Sequence, residues 1–242
     1  MTKLHRKELK QDEIRLKVGE TVKSLSLHRM EIVYILAIVV AVGLIAFAWS
    51  YYEQRQSEAS QQLLGVAMEK LQDPVGEQPA ETNGVKPPHT YKTEAEKYSD
   101  GLKDFEKIIQ QYGNTPAADM ARYQAGVSEY YLKDFSKAED YLKQSSRVSE
   151  KNLLYYMSRL TLADLYNANG KSGQAVDLMK DAVDKNKNTV PQESLLMKLA
   201  ESYQKAGNTK EATGTYQKVV DQYKESPVTY EAQIQLAQLK KK

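Results

Sequence analysis

Gly170-Lys171-Ser172 spells the last three positions of a phosphate-binding loop, in which glycine-rich backbone cradles the phosphates of a nucleotide and a lysine reaches toward them. The complete loop needs a glycine five residues before Gly170, where this chain has Leu165, and it needs a strand where the apolar pattern reads as helix. No nucleotide is therefore expected. His5, His28 and His89 are too scattered to gather a metal, and none is placed to partner a serine and an aspartate as a catalytic triad requires. The chain has no cysteine, so thiolate nucleophiles, thiolate metal sites and disulfides are all excluded. Carboxylates are plentiful but fall on polar helix faces, where solvated charge accounts for them. Neither an enzyme nor a cofactor is indicated.

The elements that carry these residues are helical. Twelve glycines and seven prolines in 242 residues are few, and the mean hydropathy of −0.63 suits extended helices with one wet face. Residues 32–49, IVYILAIVVAVGLIAFAW, break that average with eighteen uncharged positions. As a helix they span about 27 Å, the thickness of a bilayer's hydrocarbon core, and Trp49, Tyr51 and Tyr52 fit its interface. A cleaved signal peptide is the competing reading, given Ala46-Phe47-Ala48, but the apolar run is too long and its polar leader too extended. A single-pass membrane helix over 32–52 is expected.

Charge sets the orientation. Residues 1–31 hold eight lysines and arginines, whereas 53–72 hold only Arg55 and Lys70, which keeps the leader in the cytoplasm and exports the rest. In a bacterium the exported part then lies in the periplasm or at the cell exterior, and an inner-membrane anchor with a periplasmic domain is the expectation. Five acids also precede the span, so 26 basic and 27 acidic residues remain beyond it, too even a balance for a nucleic-acid partner.

Three exported stretches align without gaps: AGVSEYYLKDFSKAEDYLKQS from 125, LADLYNANGKSGQAVDLMKDA from 162 and LAESYQKAGNTKEATGTYQKV from 199, a period of 37. Small residues recur at Gly126, Ala163 and Ala200, and again at Ala138, Ala175 and Ala212. Ala237 continues the first series and Gly101 precedes the second, which adds a half-unit at each end. Each unit reads as two amphipathic helices, with small residues where their axes cross and a polar turn between them. Gly170 sits in that turn, in register with Gly207 and Lys133. Pairs of this kind bury their faces by stacking into a solenoid with a concave surface. The expected fold is all-α. Residues 1–31 form the leader, 32–52 the span and 53–72 a helix continuing from it, which offers Leu63, Leu64, Ala67, Met68 and Leu71 to the helix that starts near Tyr91. A Pro-rich loop occupies 73–90, and the repeats run from 91 to 242.

The small-residue pattern, the twelve-residue offset between its two series and the prolines at 116, 191 and 227 resemble the tetratricopeptide repeat. The period is longer than that family's usual 34, and Glu129 stands where a tyrosine is usual. The leader, the span and the exported repeats together resemble the ancillary subunit family of the bacterial Sec translocon, most closely through residues 153–180 with RLTLADLYNANGKSGQAVDLMK. That resemblance implies a scaffold for protein–protein interaction, with translocon subunits, periplasmic chaperones or nascent exported chains as partners. A repeat-bearing tether in envelope assembly or cell-division coordination is the second reading. The tetratricopeptide resemblance also implies that the first helix of each unit lines the groove. The candidate binding residues are then Tyr123, Val127 and Tyr130; Met157, Leu160, Asp164 and Asn167; and Met197, Glu201 and Gln204. The alternative for the tyrosines and methionines among them is packing between units or against the Pro-rich loop.

Overall fold

The computed structural model describes residues 29–77 and 89–241. The leader up to residue 28 and positions 78–88 of the Pro-rich segment lie outside the described residues. Among the described residues are nine helices and no strand beyond one isolated bridge. They are α1 (Arg29–Lys70), α2 (Glu94–Tyr112), α3 (Pro116–Tyr131), α4 (Phe135–Ser145), α5 (Leu153–Ala168), α6 (Ser172–Lys185), α7 (Gln192–Lys205), α8 (Thr209–Gln222) and α9 (Val228–Leu239). The chain divides into two compact units, residues 1–55 and 56–242.

In the first unit, α1 is long and apolar enough to cross a membrane, and its large side chains from Val33 to Trp49 are exposed. The second unit is the all-α solenoid of helical hairpins that the repeat pattern implies, with α3/α4, α5/α6 and α7/α8 as successive pairs. Proline and threonine open the first helices in part: Pro116 is the first residue of α3, and Thr115 caps that helix by accepting from the Ala118 amide at 3.2 Å.

The period shows in the backbone as well as in the core. Lys133, Gly170 and Gly207 stand thirty-seven residues apart and all adopt left-handed conformations, with φ of 68°, 72° and 79°. The next residue in each case, Asp134, Lys171 or Asn208, donates its amide to a carbonyl five residues back, on Glu129, Tyr166 or Tyr203. This closes the end of each first helix and turns the chain into the second. The apparent phosphate loop is therefore one copy of a three-fold repeated turn.

The small residues mark the helix crossings. Ala138, Ala163, Ala175, Ala200 and Ala212 are fully buried, and a Cβ built on Gly126 would stand 2.7 Å from Cγ of Leu142. The first half-unit uses the end of α1: Ala67 is buried with Phe105 and Ile108 of α2, flanked by Leu63, Leu64, Met68 and Leu71. Lys70 fastens this contact through Asp104 at 2.6 Å and Asp100 at 3.3 Å. Ala175→Leu should cost about 1–3 kcal/mol by overpacking. Lys171→Ala removes a half-exposed contact to Glu139 and should cost no more than about 1 kcal/mol. Thermal melts of the two variants check the difference, and equal midpoints would contradict the crossing assigned to Ala175.

Glu139 on α4 ties two units together. It accepts from Lys143 at 2.6 Å, from Tyr166 of α5 at 3.0 Å and from Lys171 at 3.1 Å. Burial alone would raise its pKa, but these three donors outweigh burial and bring it down from 4.5 to about 2. A carboxylate depressed on folding contributes stability above its unfolded pKa and loses it as pH falls toward the folded value. Glu139→Gln should thus cost on the order of 1–3 kcal/mol at pH 7, discounted for solvent around the two lysines, and almost nothing near pH 2. Denaturant titrations of both proteins across pH 2–7 measure this, and a pH-independent difference would refute it.

Candidate functional site

A concavity of the second unit, about 680 Å³, is framed by the first helices of successive units. Its lining follows the repeat register. Val127, Asp164 and Glu201 occupy one column, Tyr130, Asn167 and Gln204 the next, and Tyr131, Ala168 and Lys205 the last residue of each helix. Tyr123, Thr161, Tyr216 and Gln235 complete the wall.

Seven of the ten residues expected from the sequence come together here: Tyr123, Val127, Tyr130, Asp164, Asn167, Glu201 and Gln204. Met157, Leu160 and Met197 do not line the cavity. Met197 is only 5% exposed and packs in the C-terminal core, and Leu160 packs against the central one. The reason is periodic. The column shared by Tyr123, Leu160 and Met197 lies one turn nearer the helix start, where side chains turn into the cores. Tyr123 reaches the groove from that column, and its hydroxyl lies 3.3 Å from Thr161 Oγ1 on the neighbouring first helix. The lining is accordingly aromatic and amide-rich, without the thioethers that the sequence implied.

Tyr131 and Tyr216 were not among the expected residues. Tyr131 is half-exposed and stacks on Tyr98 of α2 with ring centroids 4.2 Å apart, while Tyr130 meets it edge-on and also approaches Phe135. This gives the N-terminal end of the groove a tyrosine platform. Its one signal in the sequence is the doubled tyrosine at the end of α3. Tyr216 comes from a second helix, where the register with Leu142 and Met179 marks it as core; its hydroxyl nevertheless extends to Gln204 Oε1 at 3.0 Å.

The carboxylates on the floor are paired. Lys198 of α7 meets Asp164 of α5 at 2.8 Å and Glu201 at 2.6 Å. Burial would lower the lysine's pKa, but hydrogen bonds to the two carboxylates raise it overall, so the cation persists and offsets both acids. Amide orientations are fixed as well. Ser202 Oγ donates to the Lys198 carbonyl at 2.8 Å, so it must accept from Asn167 Nδ2 at 3.1 Å. Asn167 Oδ1 is left buried without a protein donor. Gln204 spends its carbonyl on Tyr216, which leaves its amide hydrogens for another acceptor. The arrangement offers ring faces and one spare donor, a set suited to holding a polypeptide by apolar contact and a main-chain hydrogen bond.

A family model described as a tetratricopeptide repeat-like domain matches residues 29–190, and one described as a tetratricopeptide repeat matches 194–226. A search of curated proteins gave no match. Among solved structures, the chain is similar to the nearly identical TPR-like repeats of a Podosopora anserina protein named for kinesin light chain, at 19% identity, covering 76% of this chain and 86% of that one, with a TM-score of 0.56. A glutamine-to-methionine variant of the same repeats matches at 18% identity over 76% and 85%, with a TM-score of 0.57. PilW, a widely conserved type IV pilus biogenesis factor, matches at 18% identity over 56% of this chain and 59% of its own, with a TM-score of 0.48. At these identities the likeness to the kinesin-light-chain-named repeats concerns the fold alone.

Proposed function

We propose, because the chain belongs to the tetratricopeptide repeat-like domain family, that it is a membrane-anchored scaffold whose groove holds extended segments of other proteins on the exported side of a bacterial inner membrane. Domains of this family bind proteins, which sets the class of partner. The observation that carries the reading is the cavity itself: residues from three successive units converge on it, its carboxylates Asp164 and Glu201 are paired with Lys198, and Tyr123, Tyr130 and Tyr131 give it ring faces. The amide hydrogens of Gln204 are free to meet a main-chain carbonyl of an extended segment, whereas a helical partner has spent most of its own carbonyls.

The bilayer would be crossed by 32–52, with the leader in the cytoplasm, because eight basic residues precede the span and two closely follow it. The resemblance of 153–180 to the ancillary Sec translocon subunits supplies the rest of the proposal: the groove serves protein translocation, by receiving newly exported chains or recruiting periplasmic chaperones. A photo-crosslinking residue at Val127 or at Gln204, in living cells, should give adducts with translocon subunits, chaperones or exported chains, while the same residue at exposed Asp177 on α6 should not. Tyr123→Ala combined with Tyr130→Ala should remove the groove adducts with the fold retained by circular dichroism. Adducts from Asp177 alone would move binding to another face, and adducts with cytoplasmic proteins would reverse the orientation.

A further inference from the structure

The first helix of each complete unit is covered on two sides, by the preceding unit and by its own second helix. Gly126, Ala163 and Ala200 are buried at the second contact, and sixteen residues after each stands a large, fully buried side chain: Leu142, Met179 and Tyr216. Helix α9 repeats the register without the cover. Ala232 and Leu236 pack back on α7 and α8, but Ala237, the counterpart of Ala200, is exposed. Ile234 is 40% exposed where its counterpart Met197 is 5%, and Tyr230 is 72% exposed where Tyr156, two units earlier, is fully buried.

We propose that this face joins two copies of the chain, α9 packing antiparallel against α9 of the second copy about a two-fold axis beside Ile234. Shape complementarity is the first reason. Tyr230 and Ala237 lie on one face, seven residues apart and on either side of Ile234. A two-fold axis there sets each tyrosine over the other copy's alanine, the same large-over-small packing that closes Leu142 over Gly126. Charge is the second. Glu225 and Glu231 flank the start of the exposed face, and Lys240 and Lys241 follow its end; none of the four has an ion-pair partner among the described residues. An antiparallel pair brings the acidic end of each helix beside the basic end of the other, whereas a parallel pair would set like charges together. One twelve-residue helix covers less than the roughly 1,200 Å² of a standard stable interface, so the association is reversible and depends on concentration. The proposal does not rest on the groove, to which α9 contributes Gln235 and neither Tyr230, Ile234 nor Ala237.

The chain has no cysteine, which makes disulfide trapping clean. In the full-length protein in membranes, Ile234→Cys should convert on mild oxidation to a species of twice 27.5 kDa, while Asp177→Cys should remain monomeric. Adding Glu231→Lys should lose most of the trapped dimer, and reversing Lys240 and Lys241 to Glu in the same chain should restore it. Matching thermal melts for the Ile234→Cys variant and the unmodified protein confirm that trapping reports on folded chains. An Ile234→Cys protein that stays monomeric, that crosslinks no better than Asp177→Cys, or that joins only proteins of other mass would overturn the proposal.

Discussion

Tyr216→Ala should lower the stability of the C-terminal units by about 3–5 kcal/mol, the usual cost of emptying a buried aromatic site. The ring is fully buried in the core shared by α7, α8 and α9, with Ala200, Ala212, Val219 and Leu236 in the same cluster. Solenoid units touch only their neighbours, so the loss should stay local. Hydrogen exchange should accelerate in α7–α9 and remain near its original rate in α2–α4. Tyr216→Phe keeps the ring and removes one hydroxyl, which should cost about 0.5–1.5 kcal/mol and release the carbonyl of Gln204 into the groove. Uniform exchange across all helices in Tyr216→Ala would show that the array melts as one body and that the unit-by-unit account is wrong.

Phe105→Ala should have a comparable effect at the other end, again about 3–5 kcal/mol. Phe105 is fully buried and packs with Ala67 of α1 and with Ala118, Ala121 and Ala125 of α3, so one side chain joins the end of α1 to the first complete unit. Without it, α1 is held against α2 by the flanking leucines, such as Leu71 on Gly101, and by the two ion pairs of Lys70, and partly exposed pairs of that kind contribute little. Trypsin cleavage after Lys70 should therefore quicken well before the rest of the array unfolds. Unchanged cleavage at Lys70 would mean that the end of α1 is held by something other than the Phe105 cluster.

Much of this fold was legible because close helix crossings leave no choice of residue. Gly126, with Leu142 pressed against its missing Cβ, and the buried alanines at 138, 163, 175, 200 and 212 had to be small, so the period could be read directly. The left-handed turn at Lys133 could be inferred only by register, because lysine carries none of the signal that glycine gives at 170 and 207. Ala237 fitted the series equally well, yet its counterparts are buried and it is not. Composition marks where a second helix can pack, but not whether one is present.

The candidate groove was legible to a lesser degree. Helical spacing identified the residues of each first helix that share a face, but unit-to-unit stacking decides how far along that face the cavity extends. Leu160 and Met197 were lost to the cores for this reason, and Tyr131 at the end of α3 was gained. The pairing of Lys198 with Asp164 joins residues thirty-four apart on two helices, a contact that appears only once the stacking is known.

The backbone bridge between Val75 and Tyr91 closes the segment 73–90 at its base, where Gly76 donates to the Tyr91 carbonyl at 2.9 Å and Tyr91 donates to Pro74 at 3.0 Å. The flanking helices are thus brought together by these bonds and by the packing of Leu71 on Gly101, whatever is strung between them. Closing a longer segment over the same base costs only about 0.6 kcal/mol per doubling of its length. Insertions or exchanged sequence between 77 and 89 should therefore leave the register of the repeats undisturbed.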